Sequence, residues 1–200
     1  MNHYFKIAII NLLINSPKSM PANSGNELIK VNIFEKVGLE EAMNVGDLGV
    51  GNLAYFSVPA AKIVGKKGTV YAVDILKSVL QSVEHIAKQE GLNNIKTVWS
   101  NLEMVGATKI PADSLDLTML INMLFQSAKD EVVFQEAYRL AKPGGKLLVI
   151  DWSSVSAPFG PAVKDRIKKE EAIKLAQNSG FKFLEDFQAG PYHFGLIFVK

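Results

Sequence analysis

The chain has 200 residues, 48% of them hydrophobic, with 22 basic and 20 acidic side chains, three histidines and no cysteine. That length and composition suit one globular domain with a full core and exclude wholesale disorder. The missing cysteines exclude disulfide scaffolds, cysteine–zinc and iron–sulfur centres and thiol nucleophiles. A net charge of +2 lacks the basic excess of nucleic-acid binders, and no metal site is assigned.

Tyr4 to Ile14 is strongly apolar. It is shorter than the roughly 20 residues that cross a bilayer, and it lacks the charged start and small-residue cleavage site of a signal peptide. A cytoplasmic protein is therefore expected. The run needs burial on the domain, over a ligand or against a second subunit, which leaves a homodimer open. A Ser/Pro/Asn/Gly-rich stretch, Asn15 to Asn26, follows it. Residues 1–40 read as an N-terminal cap and residues 41–200 as the main domain.

Glu27 to Val37 reads as a helix, with Ser24 or Asn26 as N-cap and Gly38 past its end. Ala42 to Leu48 reads as a strand running into Gly49-Val50-Gly51. Leu53 to Val64 reads as a helix, kinked or starting late at Pro59. Gly68 to Asp74 is rich in strand formers. Lys77 to Glu90 carries Val79, Leu80, Val83, Ile86 and Ala87 on one helical face, with His85 on the opposite, exposed face and without a role. Ile95 to Trp99 and Leu115 to Ile121 read as strands, Glu131 to Ala141 as a helix and Lys142 to Gly145 as a turn. Lys146 to Asp151 is a continuous apolar run suited to a central strand. Lys164 to Lys169 reads as a solvated helix start, leading a helix from Ile167 to Asn178. Phe181 to Phe187 and Tyr192 to Val199 close the chain as an antiparallel pair. Strands alternating with helices in this way predict an α/β fold, a mostly parallel sheet with helices on both faces.

In such sheets a ligand sits beyond the carboxyl ends of the strands. Gly49 and Gly51 permit a tight loop and close approach of a ligand, and the following helix offers free N–H groups. Asp74 ends the next strand, 25 residues after Gly49, where a carboxylate can accept from both hydroxyls of a ribose. A nucleoside ligand follows. Gly49-x-Gly51-x-x-Ala54 also fits the loose dinucleotide fingerprint, which would make the chain an NAD(P)-binding oxidoreductase. Asp47 in place of an apolar residue, the leading helix and the antiparallel C-terminal pair argue against that reading.

At these residues the chain resembles class I S-adenosylmethionine-dependent methyltransferases, in the small group related to the ubiquinone/menaquinone C-methyltransferases. Asp47-Leu48-Gly49-Val50-Gly51 resembles the family's first motif and Tyr71-Ala72-Val73-Asp74 its second. Pro111 to Leu117 resembles the entry to strand four, and Arg139 to Leu147, with Pro143-Gly144-Gly145, the turn into strand five. The resemblance implies a Rossmann-like seven-stranded sheet ordered 3-2-1-4-5-7-6, with strand seven antiparallel, and S-adenosylmethionine as cofactor. It places Asp47 near the methionine amino group, Gly49 and Gly51 against the methionine and ribose, and Asp74 with Ile75 at the ribose. Asn101 and Leu102 take the adenine position, and Asn122 faces cofactor or substrate. Val50 and Leu53 depart from the family, making the loop bulkier at its far end.

Methyl transfer from a sulfonium is an in-line displacement that depends mainly on alignment, and it needs a general base only if the acceptor must lose a proton. No side chain is required to be catalytic. Asn122 and His193 are the candidates, and the plain alternative for His193 is a strand histidine with satisfied hydrogen bonds. Asp151 and Trp152 lie near the expected acceptor side, which residues 1–40 and the Ser153–Lys164 loop could cover. The acceptor is expected to be a small molecule, and the absence of cysteine argues against cysteine-dependent arsenite methylation. A catalytically inactive cofactor-binding or interaction protein on the same fold is the other reading.

Overall fold

The computed structural model describes residues 32–157 and 160–200. The calls on residues 1–31, including the apolar run, lie outside the described residues. Helix α1 (Ile33–Val37) starts behind Asn32, whose side chain accepts from the Glu35 N–H; the first part of the helix expected over Glu27 to Val37 lies outside the described residues. Strand β1 (Asn44–Leu48) begins two residues later than expected, because Ala42 adopts a left-handed φ of 68°. Helix α2 (Ser57–Val64) starts four residues later than expected. Ala54 has φ 47°, and Pro59 falls in the first turn, where a missing N–H costs no helical bond.

Strand β2 (Thr69–Asp74), helix α3 (Lys77–Gln89), β3 (Ile95–Trp99) and β4 (Leu115–Ile121) follow the sequence pattern closely. Next come α4 (Asp130–Leu140), β5 (Ala141–Trp152), α5 (Lys169–Asn178), β6 (Lys182–Gln188) and β7 (His193–Val199). The turn expected at Lys142–Gly145 is instead part of β5. Ala141 pairs with Leu115 and Lys146 with Leu117, so the intervening residues bulge out of the ladder. Lys142 Nζ holds this bulge against both Asp116 carboxylate oxygens at 2.8 Å.

The sheet has seven strands in the order β3-β2-β1-β4-β5-β7-β6, parallel except for β7, which is antiparallel to both neighbours. Helices cover both faces. Phe134, Ala137 and Leu140 of α4 and Ala172 and Ala176 of α5 pack on Leu48, Leu120, Val149 and Leu196. On the other face Ile33, Phe34 and Val37 of α1 and Ala60, Ala61 and Val64 of α2 pack on Val45, Met119, Ile150 and Ile197. Val79 and Val83 of α3 extend that layer over Ala72. Burial on both sides explains why β4 and β5 read as nearly unbroken apolar runs. The carboxyl ends of β2, β1, β4 and β5, with the start of β7, therefore line up along one edge.

Candidate functional site

At the carboxyl end of β1 the chain must turn sharply from strand to helix. Gly49 and Gly51 do this with φ of 87° and 69°. The N–H groups of Gly49 and Val50 both donate to Val73 O, at 2.8 and 3.1 Å, which pins the loop to β2. A Cβ on Gly49 would lie 3.1 Å from Met123 Cβ, whereas one on Gly51 would meet no atom of the described residues within 4 Å. Gly51 thus borders open space, and a side chain there would project where a ligand would sit.

Two carboxylates flank the loop. Asp47 is 3% exposed, and its Oδ2 accepts a 2.6 Å hydrogen bond from Ser57 Oγ at the start of α2. Burial pushes its pKa up to about 6; the Ser57 bond opposes the rise and the Asp74 charge adds to it. Asp74 accepts from the Leu76 N–H at 2.9 Å and the Gly51 N–H at 3.4 Å, so it ties the end of β2 to the glycine loop. Its pKa is also raised by burial, against hydrogen bonds from the N–H groups of Leu76, Gly51 and Ile75. Neighbouring buried carboxylates of this kind suit a cationic ligand, which would favour their charged forms.

The Asp47 shift has a measurable consequence. Between its free value of 3.8 and about 6 the folded chain keeps a proton that the unfolded chain has released. Stability due to this group therefore falls as pH rises through that window and stays low above it, by about 3 kcal/mol at about 1.36 kcal/mol per unit. Asp47→Asn removes this dependence. In chemical denaturation the variant is expected to gain about 3 kcal/mol relative to wild type between pH 4 and pH 8. A stability difference that does not change with pH would remove the charge from this account.

Beyond β2, Ile75 is 51% exposed and its carbonyl accepts from Trp99 Nε1 at 2.8 Å. Asn101 Oδ1 accepts from the Glu103 N–H at 2.9 Å, so one of its lone pairs serves its own turn, and Leu102 is buried. Glu103 in turn accepts from Ala128 N–H at 2.7 Å and Ser127 Oγ at 3.3 Å, joining the β3 and β4 loops. Leu53, where the loop is bulkier, is 68% exposed and points away from the packed core.

On the far side of the loop, Asn122 follows β4 with φ 52°, and its N–H donates to Ile150 O at 2.8 Å. Its side-chain Oδ1 is buried with no hydrogen-bond donor among the described residues. Asp151 is fully buried, and its carboxylate accepts from the N–H groups of Leu124 (3.1 Å) and Trp152 (2.8 Å). Burial raises it to about 6 against those two bonds. It fixes the β4 loop and is structural in this geometry. Next along the edge, Trp152 pairs with His193 across β5 and β7, with ring centroids 4.3 Å apart. His193 is 2% exposed, and neither ring nitrogen has a hydrogen-bond partner among the described residues. Among the described residues, then, nothing supplies the hydrogen bond of the satisfied strand histidine anticipated as its plain alternative.

The structure thus places Asp47, Gly49, Gly51, Asp74 and Ile75 at the β1 and β2 ends, Asn101 and Leu102 after β3, and Asn122 and His193 on the β4–β7 side. Sequence reasoning missed Ser57, Met123, Glu103 and Arg166. Only Ser57 carried a local signal, as a hydroxyl in the first turn after the glycine loop. Arg166 had been placed in a solvated charge run. It is instead half-buried, donating from Nη1 to Ser153 O and Val155 O and from Nε to Pro161 O, which organises the loop after β5. Among the described residues no cluster of His, Asp and Glu could hold a metal ion.

Comparison with known proteins agrees with this architecture. The ubiquinone/menaquinone biosynthesis C-methyltransferase of Hydrogenovibrio crunogenus is 31% identical over 137 residues, covering 67% of this chain and 52% of that protein. The demethylmenaquinone methyltransferase of Geobacillus sp. is 30% identical over 120 residues, 60% of this chain and 50% of that protein. The chain spans about half the length of these curated relatives. A SAM-dependent methyltransferase from Aquifex aeolicus has the same fold, with a TM-score of 0.81 at 22% identity over 100% of this chain and 98% of that one. Residues 39–187 match the methyltransferase-domain family, and the chain belongs to that family.

Proposed function

We propose that the chain transfers a methyl group from S-adenosylmethionine to a small-molecule acceptor by in-line displacement. The observation that carries this reading is the β1–β2 crevice. There, among the described residues, open space lies at Gly51, whose N–H donates to Asp74, and burial has raised the pKa values of Asp74 and of Asp47 at the end of β1. Those residues fit a cationic nucleoside. Asp74 and Ile75 would hold the ribose, Gly49, Gly51 and Asp47 the methionine part, Asn101 and Leu102 the adenine, and Asn122 Oδ1, without a partner among the described residues, would face the cofactor or acceptor. When bound, the cofactor supplies a methyl group already activated by its sulfonium. The protein's part is then to align and desolvate, which needs no general base unless the acceptor must lose a proton. The β4–β7 side, with Asn122, Trp152 and His193, is the acceptor side. Among the described residues no helix is long and apolar enough to cross a membrane.

Turnover of methyl-labelled S-adenosylmethionine on a panel of metabolites tests the reading, with calorimetry of the cofactor alone beside it. Gly51→Val is the matched variant. A β-branched residue at φ 69° is strained by about 1–2 kcal/mol, and its methyl groups occupy the crevice. Cofactor affinity is expected to fall about tenfold or more, with far-ultraviolet dichroism unchanged. Unaltered binding would reduce this loop to a turn. Binding without transfer to any metabolite would favour the inactive form of the fold.

A further inference from the structure

The base side of the crevice hangs on one carboxylate. β2 and β1 separate β3 from β4 in the sheet, so at about 4.8 Å per strand the ends of β3 and β4 lie about 14 Å apart. Glu103, four residues past β3, nevertheless bonds the segment just before α4. Its Oε1 accepts from the Ala128 N–H at 2.7 Å and from Ser127 Oγ at 3.3 Å. The Lys129 N–H donates to Ser127 Oγ at 3.0 Å, which leaves the hydroxyl proton for Glu103. The loops after β3 and β4 therefore meet beside the ends of β2 and β1, the strands that end in Asp74 and the glycine loop.

The two loops are not equally fixed. After β4, the Asn122 N–H donates to Ile150 O at 2.8 Å and the Leu124 N–H to Asp151 at 3.1 Å, so β5 holds that loop as a post. The loop after β3 is tied at its start, where the Ser100 N–H donates to Asp74 O at 3.1 Å. It is tied again at Gly106 and Thr108, whose N–H groups Glu136 holds. Between those ties its own bonds are local: the Glu103 N–H donates to Asn101 Oδ1 at 2.9 Å and the Met104 N–H to Asn101 O at 3.3 Å. Among the described residues, the Glu103 side chain makes the hydrogen bonds that reach from this stretch to another element. Met104 and Val105, between the two carboxylate anchors, are 58% and 52% exposed. One residue thus turns Asn101 through its N–H and leans the turn on the post through its carboxylate, in the shorter and stronger class of hydrogen bond.

We infer that Glu103 is a positioning residue for the base of the nucleoside: it holds Asn101 and Leu102 against the β4 loop, so that the base meets a wall already in place. A loop fixed beforehand spares the ligand the cost of ordering it on arrival. The inference rests on the nucleoside reading of the crevice, and the experiment separates the two. The full chain and its Glu103→Ala variant are titrated by calorimetry with S-adenosylhomocysteine, adenosine and S-ribosylhomocysteine, which keeps the ribose and amino-acid parts and lacks the base. The variant is expected to lose about tenfold in affinity for the first two ligands, equivalent to about 1.4 kcal/mol, and less than about twofold for the third. Glu103→Gln keeps an oxygen for the Ala128 N–H and the Ser127 hydroxyl, and is expected to recover most of the loss. Ser127→Ala removes one donor from the opposite wall and should give about a threefold loss with the same selectivity, which carries the test if Glu103→Ala does not fold. An equal loss for all three ligands would mean that the whole crevice has slackened, and it overturns the inference. So does unchanged affinity for S-adenosylhomocysteine in Glu103→Ala, or a Glu103→Gln protein no better than Glu103→Ala. A wild-type chain that binds none of the three overturns the nucleoside reading and this inference with it. A wild-type chain that binds them beside an indifferent Glu103→Ala leaves that reading standing and removes Glu103 from it.

Discussion

Replacing Asp74 with alanine is expected to lower affinity for S-adenosylmethionine at least about 100-fold. The carboxylate ends β2 beside the glycine loop, half-buried, with one oxygen on the Leu76 N–H and the other near the Gly51 N–H. Carboxylate oxygens accept more than one hydrogen bond each, so capacity remains for two ribose hydroxyls. Two charge-assisted bonds contribute about 1.5–3 kcal/mol each, or about two decades of affinity at the lower limit. The competing reading of Asp74 is a helix cap. The structure separates the two, because the N-cap of α3 is Leu76, which has no side-chain capping bond, and at that helix start Asp74 accepts from the N–H of Leu76 itself and not from one in the first turn. A capping role would require a bond to an N–H of the first turn. Asp74→Ala should therefore cost only about 1–2 kcal/mol of stability, from the loop bonds it loses. Asp74→Asn should fall between wild type and alanine in affinity, since the amide keeps one acceptor and loses the charge. Titration calorimetry of the three proteins, with denaturation curves beside it, decides the matter. Equal dissociation constants would take Asp74 out of the site.

How far such a site can be read before the structure is known depends on how local its signals are. The strands β4 and β5 were legible because burial on both faces writes itself as apolar runs, β2 because it is rich in strand formers, and Gly49, Gly51 and Asp74 because each stands at or just past the end of a strand. The order of the sheet followed from the resemblance, and the antiparallel pairing of β6 and β7 from the short turn between them. What was not legible is tertiary. Lys142–Gly145 has the composition of a turn, yet the Asp116 carboxylate and the β4 ladder draw it into β5 as a bulge. Arg166 sits in a run of charges, but its role is set by three carbonyls 5 to 13 residues away. Ser57 acquires its meaning from a carboxylate on β1. That His193 has no hydrogen-bond partner among the described residues is a property of everything packed around it, and no pattern along the chain encodes it.

The largest effect on stability is expected from Glu136, which sequence reading left unmarked inside α4. Its side chain is fully buried and satisfied by four hydrogen bonds: from the N–H groups of Gly106 (2.7 Å) and Thr108 (3.2 Å), and from Arg139 Nε and Nη2 (2.8 Å each). Arg139 continues the network to Thr108 O and Ile110 O, at 3.0 and 3.2 Å. One turn of helix thereby holds the segment between β3 and β4, the same segment that presents Asn101 and Leu102. Burial alone would raise the Glu136 pKa, but the Arg139 and N–H bonds outweigh it, and the group lies below its usual value. Its contribution is therefore complete above the ordinary carboxylate range and is lost as pH falls through the lowered folded value. Glu136→Ala leaves a half-buried guanidinium without its carboxylate, held only by the Thr108 and Ile110 carbonyls, and two N–H groups without their acceptor, and breaking a buried pair from one side costs about 3–5 kcal/mol. Against a total of about 5–15 kcal/mol, much of the chain's margin would go. Replacing both partners, as Glu136→Met with Arg139→Met, removes the stranded charge and should recover a large part of the loss. A double-mutant cycle by urea denaturation measures this directly. If the single and double variants lose the same stability, the stranded Arg139 charge is not what the single variant suffers from, and the pairing is removed from this account.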